Sequence, residues 1–253
     1  MNGQMYQIAA IVAAAKRAIR DNAEITYKPE KYIDNIRFQF LPSETGEYIA
    51  SDVPEWFERI KKHGVEDVKL LCPVSVKDRG VLGFSNTTQS SILCFYEDGK
   101  VTYFVPIWEF DTKLSGWNIM YTEYEWDNPP TGKPEYKNNT KEFRDILLRI
   151  EELAIRIECE NFAKVFRSAI QCLDGEIEGH DAEYGLEFPQ LPPENLKIFE
   201  AASAADVFGG MGSWNDEPGA MAGLKKLGKE YDDLSEELLR NVRLAILYSV
   251  NEW

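Results

Sequence analysis

Three sets of side chains have the chemical character that a site requires. The first is the run Phe208, Gly209, Gly210, Met211, Gly212, Ser213, Trp214, Asn215 and Asp216, with three glycines in four positions. Glycines at that density admit positive φ angles and leave backbone amides uncovered, the arrangement by which loops cradle anions. The run does not read as a P-loop, because no Lys-Ser or Lys-Thr pair follows the glycines and the segment before it has helical periodicity. Its structural reading is a helix end and a tight crossing, with Trp214 as a packing anchor and Asn215 and Asp216 capping the next helix. That reading outweighs ligand binding, since glycine clusters mark special backbone geometry first.

The second set surrounds His180. Asp174, Glu176, Glu178, Asp181 and Glu183 supply oxygens beside one imidazole, a donor mix compatible with calcium, magnesium or manganese. The Asp-x-Asp-x-Asp-Gly order of an EF-hand is absent, and the expectation is a solvated loop that faces a partner, with no metal. The third set is Glu109 and Asp111 on one aromatic strand with Glu123 and Glu125 on another, in outline the paired acids of a glycoside hydrolase beside sugar-stacking tryptophans. Alternation opposes it: Tyr121, Glu123 and Glu125 share one face of their strand and Met120, Thr122, Tyr124 and Trp126 the other, the way a sheet divides water from core. There is no Gly-x-Ser-x-Gly elbow and no His-Glu-x-x-His, and His63 and His180 are the only histidines. His63 falls in the last turn of a short helix, where an imidazole complements the helix dipole. No catalytic residue, metal ligand or cofactor is assigned, and the chain reads as a binding protein rather than an enzyme.

The hydrophobic pattern marks out the elements that must hold these residues. Residues 4–20 form a helix with Ile8, Ile11, Val12, Ala15 and Ile19 on one face. Ile36, Phe38 and Phe40 alternate with Arg37 and Gln39 as a half-buried strand. Asp52 with Glu55 makes a capping box ahead of a short helix that buries Trp56, Phe57 and Ile60 and stops at Gly64, and residues 68–72 follow as a strand. The plainest hairpin joins residues 91–96 to residues 101–107 around Asp98 and Gly99, and residues 117–126 pair nearby in a sheet with a heavy aromatic face. Past Asn128, Pro129 and Pro130 the periodicity turns helical. Phe143, Ile146, Leu147, Ile150, Leu153, Ala154 and Ile157 make one stripe. Phe162, Val165, Phe166, Ala169, Ile170 and Leu173 make a second, offset by about one position, as from two helices joined near residues 158–161 or one helix with a shifted face. Pro192 and Pro193 start another helix, and the stripe from Leu224 and Leu227 through Tyr231, Leu234, Leu238, Val242 and Ala245 marks the last. The fold class is α+β. An N-terminal antiparallel sheet with flanking helices fills residues 1–130, and an all-helical half with an acidic loop and a glycine-rich loop fills residues 131–253.

Charge narrows the function classes. The chain has 253 residues and a net charge of −15; residues 1–137 carry 16 Lys+Arg against 20 Asp+Glu, and residues 138–253 carry 12 against 23. Residues 168–196 contain neither Lys nor Arg. Such a surface repels nucleic acid and anionic lipid and attracts basic proteins, although an acidic balance also serves solubility alone. No apolar run reaches the roughly 18 residues of a bilayer helix, and the first residues lack the order of a secretory leader. Cys72, Cys94, Cys159 and Cys172 form no Cys-x-x-Cys pair and read as buried thiols in a reducing compartment, so the expected location is the cytoplasm.

On Gly209, Gly210, Met211, Gly212, Ser213, Asn215 and Asp216, the chain from about residue 138 onward resembles a small helical bacterial family of undefined function. That family carries a similar glycine loop ending in Asn-Asp, and proteins of this kind often sit among the immunity proteins of toxin systems. The resemblance assigns no chemistry to any residue. Together with the charge it implies an immunity-type inhibitor of a basic partner, with contacts at Glu176, Glu178, His180, Asp181, Glu183, Gly209, Gly210, Gly212, Ser213, Trp214, Asn215 and Asp216. The alternative is a small-molecule-binding module or hydrolase with a pocket between the aromatic sheet and the helical half, walled by Trp108, Trp117 or Trp214.

Overall fold

The computed structural model describes residues 1–43, 46–129, 131–177 and 188–253. The chain divides into two compact units, one of Gln4–Cys72 and Gln89–Glu135, the other of Met1–Gly3, Pro73–Thr88 and Tyr136–Trp253. A single cut near residue 130 therefore does not describe the molecule. Residues 73–88 carry neither helical nor strand periodicity, so nothing in their pattern tells which core their buried apolar residue, Leu82, joins.

The first unit is built on a six-stranded sheet. Its elements are helix α1 (Gly3–Asp21), strands β1 (Ile33–Gln39) and β2 (Ile49–Ala50), helix α2 (Val53–Lys62), and strands β3 (Val65–Leu71), β4 (Ser91–Tyr96), β5 (Val101–Asp111) and β6 (Gly116–Glu125), with strand order β2-β1-β6-β5-β4-β3. The expected antiparallel sheet is mixed. β1 runs parallel to β6, with Ile36 opposite Ile119 and Phe38 opposite Tyr121, and every other neighbouring pair is antiparallel. Alternation reports which residues of a strand are buried and is silent on the direction of its neighbour. After β1 the chain passes through α2 to the far edge, and the meander β3-β4-β5-β6 then returns to the free side of β1 in the parallel sense.

On one face, Phe38 is stacked between Trp56 and Tyr121 at ring distances of 4.9 and 4.8 Å, and Phe104 meets Phe38 edge-on at 5.9 Å. The Tyr121 hydroxyl donates to Gln7 Oε1 at 2.9 Å, which places α1 with α2 on that face. The opposite face is closed around Leu93, Phe95 and Val101, where Trp126 packs, Lys133 lies over the Phe95 ring and Lys69 donates to the Pro134 carbonyl at 2.6 Å.

The second unit is helical: a 3-10 turn (Arg79–Gly83), then α3 (Thr140–Arg156), α4 (Glu160–Asp174), α5 (Pro193–Ala205), α6 (Glu217–Leu224) and α7 (Gly228–Asn251). α3, α4, α5 and α7 close a ring in which each packs on two others, and α6 rests on α7. The slip between the two apolar stripes is a true break, because Glu158 takes a φ of +62° between α3 and α4. α4 ends on Gly175 at φ +72°, whose N–H reaches the Cys172 carbonyl while the N–H of Glu176 reaches that of Gln171, a Schellman stop. α3 and α7 are joined by Arg149, whose Nη1 donates to both carboxylate oxygens of Glu237, and by Arg156, whose two Nη atoms grip Glu230 bidentately, the pairs standing seven residues apart on each helix. The last stripe begins later than its pattern implies: Leu224 is exposed, and Lys226 at φ +60° separates α6 from α7.

Candidate functional site

α5 ends at Ala205, and buried Phe208 leads the chain into the glycine run. The run closes on itself through Ser213 N–H to the Gly210 carbonyl and Trp214 N–H to the Val207 carbonyl, both at 3.1 Å. Only one of its glycines uses left-handed backbone, Gly212 at φ +82°. Ser213 Oγ donates to the Gly209 carbonyl at 3.0 Å and accepts the Asn215 N–H at 3.2 Å. Asp216 stands at the N-cap of α6, yet its carboxylate accepts the Gly212 N–H instead of capping that helix, and the Asn215 side chain donates to the Arg79 carbonyl at 3.0 Å. The expected capping role thus gives way to bracing. Both side chains tie the loop down, because a loop with so few side chains has little else to hold it.

Trp214 is the anchor. It is fully buried, with Phe162 and Phe166 edge-on at 5.2 Å and Tyr231 tilted against it at 5.5 Å. Its indole N–H donates to Ser235 Oγ at 2.8 Å, Ser235 donates in turn to the Tyr231 carbonyl at 2.6 Å, and the Tyr231 hydroxyl returns to the Trp214 carbonyl at 2.6 Å. Trp214 is therefore an internal member of the helical unit and not the wall of a pocket. Arg79 holds the outer edge: it pairs with Asp232 Oδ1 at 3.0 Å while its guanidinium lies 5.9 Å from the centre of the Tyr231 ring.

The helical unit also contains a contact that the sequence did not flag. A Cβ on Gly83 would run into the backbone of Gly209 and Gly210, so the 3-10 turn meets the glycine loop backbone to backbone. Beside this crossing lies a cavity of about 430 Å³, walled by Leu82, Phe162, Phe208, Asp206 and the loop itself. Gly83, the last residue of the 3-10 turn, is the residue of this stretch whose type points there.

No family model, curated protein or solved structure matches the chain. What the residues can do rests on geometry alone.

Glu176 is exposed just past the stop of α4; Glu178, His180, Asp181 and Glu183 lie outside the described residues. Among the described residues no group of three or more His, Cys, Asp or Glu is placed to hold a metal ion. The four strand carboxylates do not converge. Glu123 is buried and accepts the Leu41 N–H at 2.9 Å, Asp111 accepts from Lys113 and Leu114 in a turn, and Glu109 sits opposite Asn118 on the other face of the sheet from Glu123. Trp108 and Trp117 pack on each other at 5.7 Å within the sheet unit. The cysteines are buried and free, and burial pushes the thiols of Cys94 and Cys159 up and that of Cys172 to about 11, away from the thiolate a nucleophile needs. His63 closes α2 with its backbone N–H on the carbonyls of Arg59 and Ile60. No described helix is long and apolar enough to cross a membrane.

Proposed function

We propose that the protein is an interaction protein of the immunity type, which neutralises a basic partner by presenting acidic side chains from its helical unit. The reading is carried by what that unit does with its cations. Arg79, Arg144, Arg149, Arg156, Arg167, Lys197, Lys225 and Lys229 are each held in an ion pair with a carboxylate of the same unit. The unit has 24 Asp+Glu and 15 Lys+Arg, so this pairing consumes cations and leaves the excess of carboxylates uncompensated. A surface of that kind steers an oppositely charged protein at rates that fall as salt screens the field.

Capture from native lysate at low and high salt, comparing the wild type with a variant in which Glu176, Glu178 and Asp181 are all reversed to Lys, tests the reading. The expected result is one basic protein retained at low salt, released at high salt and lost in the reversal. Absence of such a protein, or capture indifferent to the reversal, rejects it.

A further inference from the structure

We infer that the Gly209–Gly212 loop, together with the turn that carries Phe84, is the apolar centre of the surface that receives the basic partner. This rests on the reading above and adds where contact is made. Glycine at 210 has no reason inside the molecule: its φ lies outside the left-handed region, and a Cβ there would meet nothing within 4 Å. Gly209 would meet only an ordinary contact, Ser213 Cβ at 3.6 Å. Gly83 and Gly212, by contrast, are demanded by a close backbone approach and by a positive φ. Glycines at 209 and 210 leave backbone bare where another chain can approach it closely.

Apolar side chains surround that bare stretch. Met211 is wholly exposed at the tip of the loop, and Phe84 (66% exposed) and Val81 (39%) flank Gly83, the residue that touches it. Exposed apolar groups gathered in one place mark interaction surfaces, and the cavity of about 430 Å³ that the two segments line together with Met1, Asn2, Gly3 and Phe162 has room for a partner's apolar side chain. The rim is acidic. Asp78, Asp206, Asp216 and Glu217 stand on these two segments against Lys77, Arg79, which is paired with Asp232, and the Met1 ammonium, which lines the cavity and donates to the Ser203 carbonyl at 3.2 Å. An apolar centre within a charged rim is the anatomy of a protein interface, and the sign of this rim selects a basic protein. The loop is already fixed by Trp214, Asn215 and Asp216, so docking on it costs little ordering.

The experiment uses the full chain and, as probe, the basic protein retained at low salt, identified and purified. Gly210→Leu blocks the approach without touching any described internal contact, and the double variant Phe84→Ala, Met211→Ala removes exposed apolar groups only. Each is expected to weaken binding by about tenfold or more, with the thermal midpoint held within about 2 °C and the salt dependence of binding unchanged. If Gly210→Leu lowers the midpoint, the double variant alone decides. Binding unchanged in the double variant overturns the surface and leaves the proposed function standing; a wild type that retains no salt-sensitive basic protein overturns both.

Discussion

Trp214 has its indole N–H and its carbonyl both answered within the fold, by Ser235 and by Tyr231. Truncation to Ala should therefore cost the large-to-small penalty of roughly 3–5 kcal/mol in a denaturant titration. Ser235→Ala strands the indole donor and should cost about 1–3 kcal/mol. Gly83→Ala forces a methyl onto the backbone of Gly209 and Gly210, and an overpacking loss of roughly 1–3 kcal/mol or more is expected, checked by the same titration. At the start of α2, Asp52 accepts the Glu55 N–H while the Glu55 carboxylate accepts the N–H and hydroxyl of Ser51 and the hydroxyl of Tyr48. Those donors, Ser51 foremost, hold the Glu55 carboxyl down to about 2 from its ordinary 4.5. A carboxyl with a lowered folded value contributes stability that is complete above its ordinary value and is lost as pH falls from there toward 2. Unfolding midpoints measured from pH 7 down to pH 3, as round settings with about one-unit steps, should fall less steeply in Glu55→Gln than in the wild type. Asp52→Ala should cost about 1 kcal/mol at neutral pH.

At the scale of elements, the α3–α7 seam of Arg149–Glu237 and Arg156–Glu230 lies at the surface, where water and salt weaken ion pairs. A double-mutant cycle on Arg149 and Glu237 should return a small coupling that shrinks further at high salt, while Leu153→Ala, in the buried stripe beneath, should cost roughly 2–5 kcal/mol. The stripes and caps are what the sequence makes legible. The Asp52 cap, the Asp98–Gly99 hairpin and the start of α5 at Pro193 follow from local side-chain chemistry and are present, whereas the Glu55 carboxylate reaches the Ser51 N–H in place of the Asp52 N–H of a capping box, and the choice between a break and a shifted helix face at α3–α4 is decided only by the backbone at Glu158. What stayed hidden depends on residues far apart. The parallel pairing of β1 with β6 is fixed by where the chain returns, and the meeting of Gly83 with Gly209 and Gly210 spans segments more than a hundred residues apart. Of the glycine run, its anchoring Trp214 was legible from its type, whereas the turn of Asp216 back onto Gly212 was not, because an N-cap residue has the same composition whichever amide it accepts.

At the scale of the molecule, a net charge of −15 repels itself in the folded state more than in an expanded one. Moderate salt should raise the unfolding midpoint even as it weakens the surface ion pairs, and a fall on adding salt would assign the larger role to those pairs. The helical unit draws on residues 73–88 as well as on the chain after residue 135. Residues 136–253 expressed alone lack Arg79, Leu82 and Gly83, and should show weaker near-ultraviolet dichroism at Trp214 than the full chain. The same arrangement sets an order of events during synthesis. The ribosome delivers residues 73–88 before any of the long helices of the unit that will receive them, so this stretch waits, with Leu82 uncovered, until the Gly209–Gly210 loop that Gly83 meets has emerged more than a hundred residues later. Limited proteolysis of a chain stalled before residue 209 is expected to cut within this stretch, and a chaperone that grips exposed apolar residues is expected to hold it there.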